Sequence, residues 1–341
     1  MAKHRLKRFG LVLFITLPLL LTMAISDVQA KKIVIKASTV QMPKQQMGRY
    51  LLKLADTVKK DGVLKDKVDL KIYPSAQLYS GDAEIQAVSK GELEIAFVIG
   101  SKPTILDPIF QAWELPFLFP SMDAALEILR GDIGDEIFSR LEKYGIFCKG
   151  VAFSGTPVIS NSKRPILWPK DFEGLKLRSY GRITKSSLEA LGATGIVTAS
   201  EETFSALQQG MIDGLITPNA VYMKRKYYTI QKYVTDTGTF NWSCGILFVN
   251  KNFWEGLPED IRTRLGQIMT DLVEENNREM IEKDKEVFQQ IEAEGNKLYR
   301  LSPEHVAAWK EATRVVYDKF GPEIGVDLIK KIQARGEELS N

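Results

Sequence analysis

Glu259-Asp260-Ile261-Arg262-Thr263-Arg264-Leu265-Gly266-Gln267-Ile268-Met269 opens a helical run that continues to Ala293, with no proline and Gly266 as its only glycine. At about 1.5 Å per residue, some 35 residues make a rod of roughly 50 Å, enough to lie along two domains. Just before it, Ile246-Leu247-Phe248-Val249 reads as a buried strand that fits a sheet begun near the N-terminus. The chain therefore crosses back to its first domain before the long helix starts. Upstream, strand and helix alternate: Ile33–Ala37, Val68–Tyr73 and Glu94–Ile99 read as strands, Gln45–Lys60 and Ala83–Lys90 as helices. The same grammar resumes with strand Gly174–Ser179, helices Thr184–Leu191 and Glu201–Gln209, and strand Asp213–Ile216. This alternation predicts α/β architecture with mainly parallel sheet. The expected organisation is discontinuous: 31–153 with about 243–282 in lobe I, and 154–242 with about 283–335 in lobe II. The cleft between such lobes is where a small ligand binds.

The 341 residues are 44% hydrophobic and 26% charged, with 25 Gly and 14 Pro. Those proportions exclude collagen-like, disordered and coiled-coil classes. A chain of roughly 300 residues buries about 75% of its unfolded surface and needs no disulfide or metal staple.

Residues 1–30 read as an export signal. Lys3, Arg5, Lys7 and Arg8 form a basic start, Leu11 to Ala24 is an uncharged apolar run, and Val28-Gln29-Ala30 offers small side chains for a cut before Lys31. The alternative is an uncleaved anchor, but the apolar run falls short of the roughly 20 residues that span a bilayer. Removing the segment takes four bases from 46 and Asp27 from 43 acids, leaving 42 of each. A neutral chain has no field to hold a polyanion, which argues against nucleic acid as a partner. A soluble periplasmic protein is expected.

Beyond the signal there is one histidine, His305, in the helix-start sequence Ser302-Pro303-Glu304-His305. His-based triads and zinc sites lack their parts, and there is no phosphate loop or G-x-G-x-x-G. No metal and no cofactor are expected. Cys148 and Cys244 lie in apolar, strand-like stretches and read as buried free thiols, with a disulfide as the alternative in an oxidising compartment.

Several blocks, in order, carry a family resemblance: Tyr73-Pro74-Ser75-Ala76-Gln77-Leu78, then Glu84 and Gly91-Glu92-Leu93-Glu94, then Leu115-Pro116-Phe117-Leu118-Phe119. Asp171-Phe172-Glu173-Gly174-Leu175-Lys176-Leu177-Arg178 follows, then Ala206 to Gly214, Lys232-Tyr233, and Asn250 with Trp254 and Leu257-Pro258. Together they resemble the solute-binding proteins of TRAP (tripartite ATP-independent periplasmic) transporters, of the DctP type. The resemblance implies a two-lobed, type II-like periplasmic binding protein. It would close on a small organic acid and deliver it to TRAP-type membrane permease subunits.

The resemblance also implies that Arg178, ending its strand, grips the ligand carboxylate. A planar guanidinium makes two parallel charge-assisted hydrogen bonds to a carboxylate; the alternative is an ion pair with a neighbouring Asp or Glu. Elsewhere the chain departs from better-known members. Where they carry a second Arg it has Gly155-Thr156-Pro157, where they carry a cleft Asn it has Thr217, and Ile99 stands where sugar-acid binders can have an acid. These changes remove polar groups and point to a monocarboxylate with an apolar or aromatic body. Phe240, Trp242 and Tyr180 could wall it, or be core; Asn219 could replace the displaced amide. Ser38 and Thr39 offer hydroxyls, or cap the next helix. Tyr222, Trp113 and Arg182 are weaker candidates. Lys224-Arg225-Lys226 is a solvated face or a permease-docking patch. Two other functions remain open at this point, a ligand sensor for a membrane signalling partner and an Asp/Glu-dependent periplasmic enzyme. A monomer is expected, with a dimer left open.

Overall fold

The computed structural model describes residues 31–198 and 202–340, so the export signal expected at 1–30 lies outside the described residues. Among the described residues, eleven strands form two sheets. They are β1 (Ile33–Ser38), β2 (Val68–Tyr73), β3 (Ile95–Ile99), β4 (Ile146–Phe153), β5 (Pro157–Asn161), β6 (Lys176–Ser179), β7 (Thr194–Val197), β8 (Gly214–Pro218), β9 (Tyr233–Asp236), β10 (Cys244–Asn250) and β11 (Lys297–Arg300). The first sheet runs β2-β1-β3-β10-β4 and the second β11-β9-β5-β8-β6-β7. The strand read at Ile246–Val249 is β10, seated between β3 and β4 of the first sheet. The architecture is two-lobed α/β.

The sheets are mixed rather than mainly parallel. β1 runs parallel to β2 and β3, and β6 to β7 and β8, whereas β10 is antiparallel to β3 and β4, and β5 to β8 and β9. A parallel neighbour needs a crossover helix to bring the chain back to the same end. β5 and β10 arrive directly from the other sheet, so they enter pointing the opposite way. Gly214, in one of the resemblance blocks, sits where β8 pairs β5; a Cβ there would fall 2.0 Å from the Ser160 carbonyl oxygen, so only glycine permits this approach.

The Glu259–Ala293 helix forms over the predicted span. Ile261, Leu265, Ile268, Met269, Leu272 and Val273 pack into the first-lobe core with Leu51, Phe97 and Leu247, while Phe288 and Ile291 join second-sheet residues such as Val158, Leu215 and Val234. The 283–335 segment, expected in lobe II, divides. β11 pairs with β9 in the second sheet, but Val316, Phe320, Ile324, Leu328 and Ile332 pack with Phe110, Leu126 and Ile137 of the first lobe. An amphipathic helix buries its apolar stripe against whichever core is nearest, which the local sequence does not specify.

His305 is structural: its Nδ1 accepts from Ser302 N at 3.0 Å, and its ring meets Trp168 edge-on at 4.5 Å. Cys148 and Cys244 are both free.

Candidate functional site

In Lys176-Leu177-Arg178-Ser179, strand alternation sends Leu177 into the second-lobe core and Arg178 to the other face. Arg178 is 7% exposed. Its Nε donates to the Thr198 carbonyl at 3.1 Å and its Nη1 to the Ile216 carbonyl at 3.5 Å, and its guanidinium carbon lies 5.9 Å from the centre of the Tyr180 ring. Backbone partners hold the plane of the fork in one orientation without titrating. Thr217 follows Ile216 and is buried at the end of β8.

Tyr180 donates its phenol hydrogen to the Asn241 carbonyl at 2.6 Å. Asn241 itself has φ +51°, a left-handed conformation that asparagine tolerates. Its side-chain amide donates to the Glu114 carbonyl and to Ser187 Oγ. That turn sets Trp242 flat against Phe153, with centroids 6.2 Å apart, and edge-on to Phe119. The buried Trp242 Nε1 and Ser179 Oγ have no hydrogen-bond partner within the protein.

A cavity of 530 Å³ lies between the lobes. Ser101, Lys102 and Glu114 face it from the first lobe, Tyr180, Gly181 and Arg182 from the second. Lys102 pairs with Asp82 at 3.1 Å, and Arg182 pairs with Glu323. Gln111 accepts from Arg182 Nε at 3.2 Å and donates to Glu323 at 3.0 Å. Burial pushes the Glu114 carboxyl up to about 7, the Ser101 and Thr184 hydroxyls pulling weakly the other way. On the first lobe, burial likewise pushes Glu84 up to about 7, opposed by the Ser38 hydroxyl beside it.

Of the predicted residues, Tyr180 lines this cavity, Arg178 lies beside it in the second sheet, and Thr217 is buried at the end of β8. Ser38 lies at the end of β1, fully buried beside Glu84. Three predicted ligand residues are engaged elsewhere. Trp242 has no exposed surface and packs with Phe119 and Phe153 in the first-lobe core, so it walls no cavity. Phe240 is a core residue, wedged between Phe117 at 5.3 Å and Trp309 at 5.2 Å with no exposed surface. Asn219 gives its amide to Asp284 Oδ1 at 2.8 Å and caps Ala220 N at 2.6 Å, so it serves the long helix and not the cleft. Tyr222 and Trp113 are fully packed in hydrophobic cores, and Arg182 stands at the cavity rim. Neither Ser38 nor Thr39 caps the next helix, whose N-cap is Gln45. Sequence reasoning did not single out Glu114; its signal is that it is the only charged residue between Ile109 and Phe119. Among the described residues no group of three His, Cys, Asp or Glu is placed to hold a metal, and no helix is long and apolar enough to cross a membrane.

The family model for DctP, bacterial extracellular solute-binding protein, family 7, matches residues 37–323. The C4-dicarboxylate-binding periplasmic protein DctP of Rhodobacter capsulatus is 30% identical over 317 residues, covering 91% of this chain and 92% of that protein. A crystal structure of a TRAP periplasmic solute binding protein from Sulfurospirillum deleyianum, with bound succinate, is similar at 31% identity and a TM-score of 0.77, covering 88% of this chain and 98% of that one. Another from Ralstonia eutropha, with bound (S)-2-acetolactate, is similar at 28% identity and a TM-score of 0.82, covering 89% and 99%.

Proposed function

The chain belongs to the DctP family of bacterial extracellular solute-binding proteins, and from that premise we propose that it captures a monocarboxylate with an apolar or aromatic body. At the coarser level it is a TRAP-type periplasmic receptor for small organic acids, a binding protein and not an enzyme. Proteins of this kind hand their ligand to membrane permease subunits. In the proposal, Arg178 takes the carboxylate, Thr217 and Ser38 add hydroxyls, and Tyr180 supplies a flat wall.

The observation that carries the reading is Arg178, a residue 7% exposed near the end of β6 whose Nε and Nη1 are tied to backbone carbonyls. A planar fork held this way offers a carboxylate fixed geometry and permanent charge. The aromatic face of Tyr180 favours an apolar body, since such a ring buries a large area at little entropic cost. Acetolactate, bound by the Ralstonia relative, has one carboxylate; succinate, bound by the Sulfurospirillum relative, has two, so the panel must hold both kinds.

The test is thermal unfolding of the purified protein and of Arg178→Ala against organic acids. Ligand at 100 times its dissociation constant adds about 2.7 kcal/mol of stability, a midpoint rise of a few degrees. A monocarboxylate that shifts the wild type and not the variant supports the proposal. Shifts from dicarboxylates or sugar acids alone reject the ligand class, and equal shifts in the variant reject Arg178.

A further inference from the structure

We propose that Glu114 is a second ligand-reading group of the cleft, and that the ligand is a carboxylic acid carrying a protonated amine whose ammonium meets the Glu114 carboxylate. The inference rests on the reading in which Arg178 takes the acid end, and it narrows the substrate class within it.

Glu114 ends the turn Pro108–Glu114, is 3% exposed, and opens onto the interlobe cavity. It reaches the second lobe because Gly181 has no side chain: a Cβ there would stand 2.9 Å from Glu114 Oε2. The other charged groups of that wall are matched within the protein, Lys102 by Asp82 and Arg182 by Glu323 and Gln111. Glu114 is faced by the hydroxyls of Ser101 and Thr184, by Tyr180 and by Cys244. Among the described residues no cation stands within ion-pair distance of it.

A carboxylate taken out of water without a cation is costly, and the group keeps its proton instead. Its carboxyl accordingly titrates near 7. Which guest resolves this follows from charge. A second carboxylate would accept one hydrogen bond from the protonated carboxyl but bring its own uncompensated negative charge into the buried site, and a hydroxyl would accept or donate one hydrogen bond without neutralising anything. An ammonium supplies the missing positive charge in a low-dielectric site, where it counts most. Tyr180 joins the two poles, its ring 5.9 Å from the Arg178 guanidinium and its hydroxyl within the field of Glu114. With Arg178 at the acid end, as in that reading, and Glu114 on the cavity wall, the guest that suits both is a zwitterion. On binding, the neutral Glu114 carboxyl gives its proton to solvent, the ammonium keeps its own, and the two form an ion pair.

The experiment is calorimetry of the purified protein with matched pairs: propionate and alanine, butyrate and γ-aminobutyrate, valerate and δ-aminovalerate. The amine of at least one pair is expected to tighten binding about tenfold or more. At neutral pH the binding heat of that amine should differ between phosphate and Tris, reporting proton release. Glu114→Gln should erase the gain. Plain acids that bind as tightly as every amine partner overturn the inference, as does a Glu114→Gln variant that keeps the gain. If that variant does not fold, the matched pairs and the buffer dependence in the wild type decide alone. The two readings fail separately: loss of plain-acid binding in Arg178→Ala without any amine gain sinks only this inference, whereas unaltered affinities in Arg178→Ala, or silence across all pairs, sink both.

Discussion

Thr156 Oγ1 donates to Asp284 Oδ2 at 2.6 Å, tying the first passage between the lobes to the long helix. Asp284 Oδ1 accepts two further bonds, from Thr156 N at 2.9 Å and from Asn219 Nδ2 at 2.8 Å. Two turns earlier on the same helix, Asn277 accepts from Phe153 N at 2.8 Å and donates to the Val151 carbonyl at 2.9 Å. The helix therefore grips the chain on both sides of Gly155, which sits at φ +105°. Lobe closure turns about such short passages, and here one buried carboxylate fixes the passage, the second lobe and the helix at a single point.

Asp284→Ala should destabilise the protein by on the order of 3 kcal/mol, because it strands three buried donors at once. Asp284→Asn keeps the Oδ1 acceptor and should cost roughly half as much. Urea unfolding of the two variants checks this; equal stability of Asp284→Ala and the wild type would show the clamp to be energetically idle.

Arg178→Lys tests the fork separately from the charge. An ammonium cannot make the paired bonds to a carboxylate nor hold both the Thr198 and Ile216 carbonyls in the present plane. The expectation is that Arg178→Ala loses about two orders of magnitude of ligand affinity or more, and that Lys restores only a small part of it. Calorimetry with the acid found in the thermal panel measures both. Full recovery with Lys would mean that charge alone matters.

The long helix and β10 were legible because length and apolar runs are local signals. Other features depend on long-range choices. The lobe boundary expected at 153/154 falls between β4 and β5, but nothing local says that β4 ends at the edge of the first sheet while β5 lies inside the second, between β9 and β8. Phe240 and Trp242 look alike in sequence; the left-handed turn at Asn241 between them sends one into a core against Trp309 and the other against Phe153. Arg178 stands out as a candidate through its block, whereas Glu114, a lone acid in an apolar run, acquires meaning only when Gly181 is folded against it.

The cysteines should stay reduced and slow to react. β4 and β10 are neighbours, yet Cys244 lies opposite Phe153 and Cys148 opposite Phe248. Four residues along a strand separate them by about 13 Å, against the roughly 7 Å limit for bridging Cα atoms. Burial also pushes the Cys148 thiol up to about 12 and Cys244 well above its ordinary value, so little thiolate exists. Alkylation followed by mass measurement should find both thiols after unfolding and neither labelled quickly in the native state. An intact-mass loss of two hydrogens would contradict the strand register.

Stability should fall as pH rises from about 4.5 to 7, the reverse of the usual carboxylate trend. Burial holds Glu84 and Glu114 at about 7 in the folded state, against an ordinary value of 4.5. Below that lower value both states are protonated and the folded form keeps its full advantage. Through the window the unfolded chain ionises while the folded carboxyls keep their protons, so each group removes up to about 1.4 kcal/mol per pH unit. Asp260, held low by its hydrogen bond from Lys67, acts below 3.8 and lies outside this window. Urea unfolding at steps across the window should show the decline, and Glu84→Gln with Glu114→Gln should flatten it. A double variant with the wild-type slope would mean that neither carboxyl is held in its neutral form by burial.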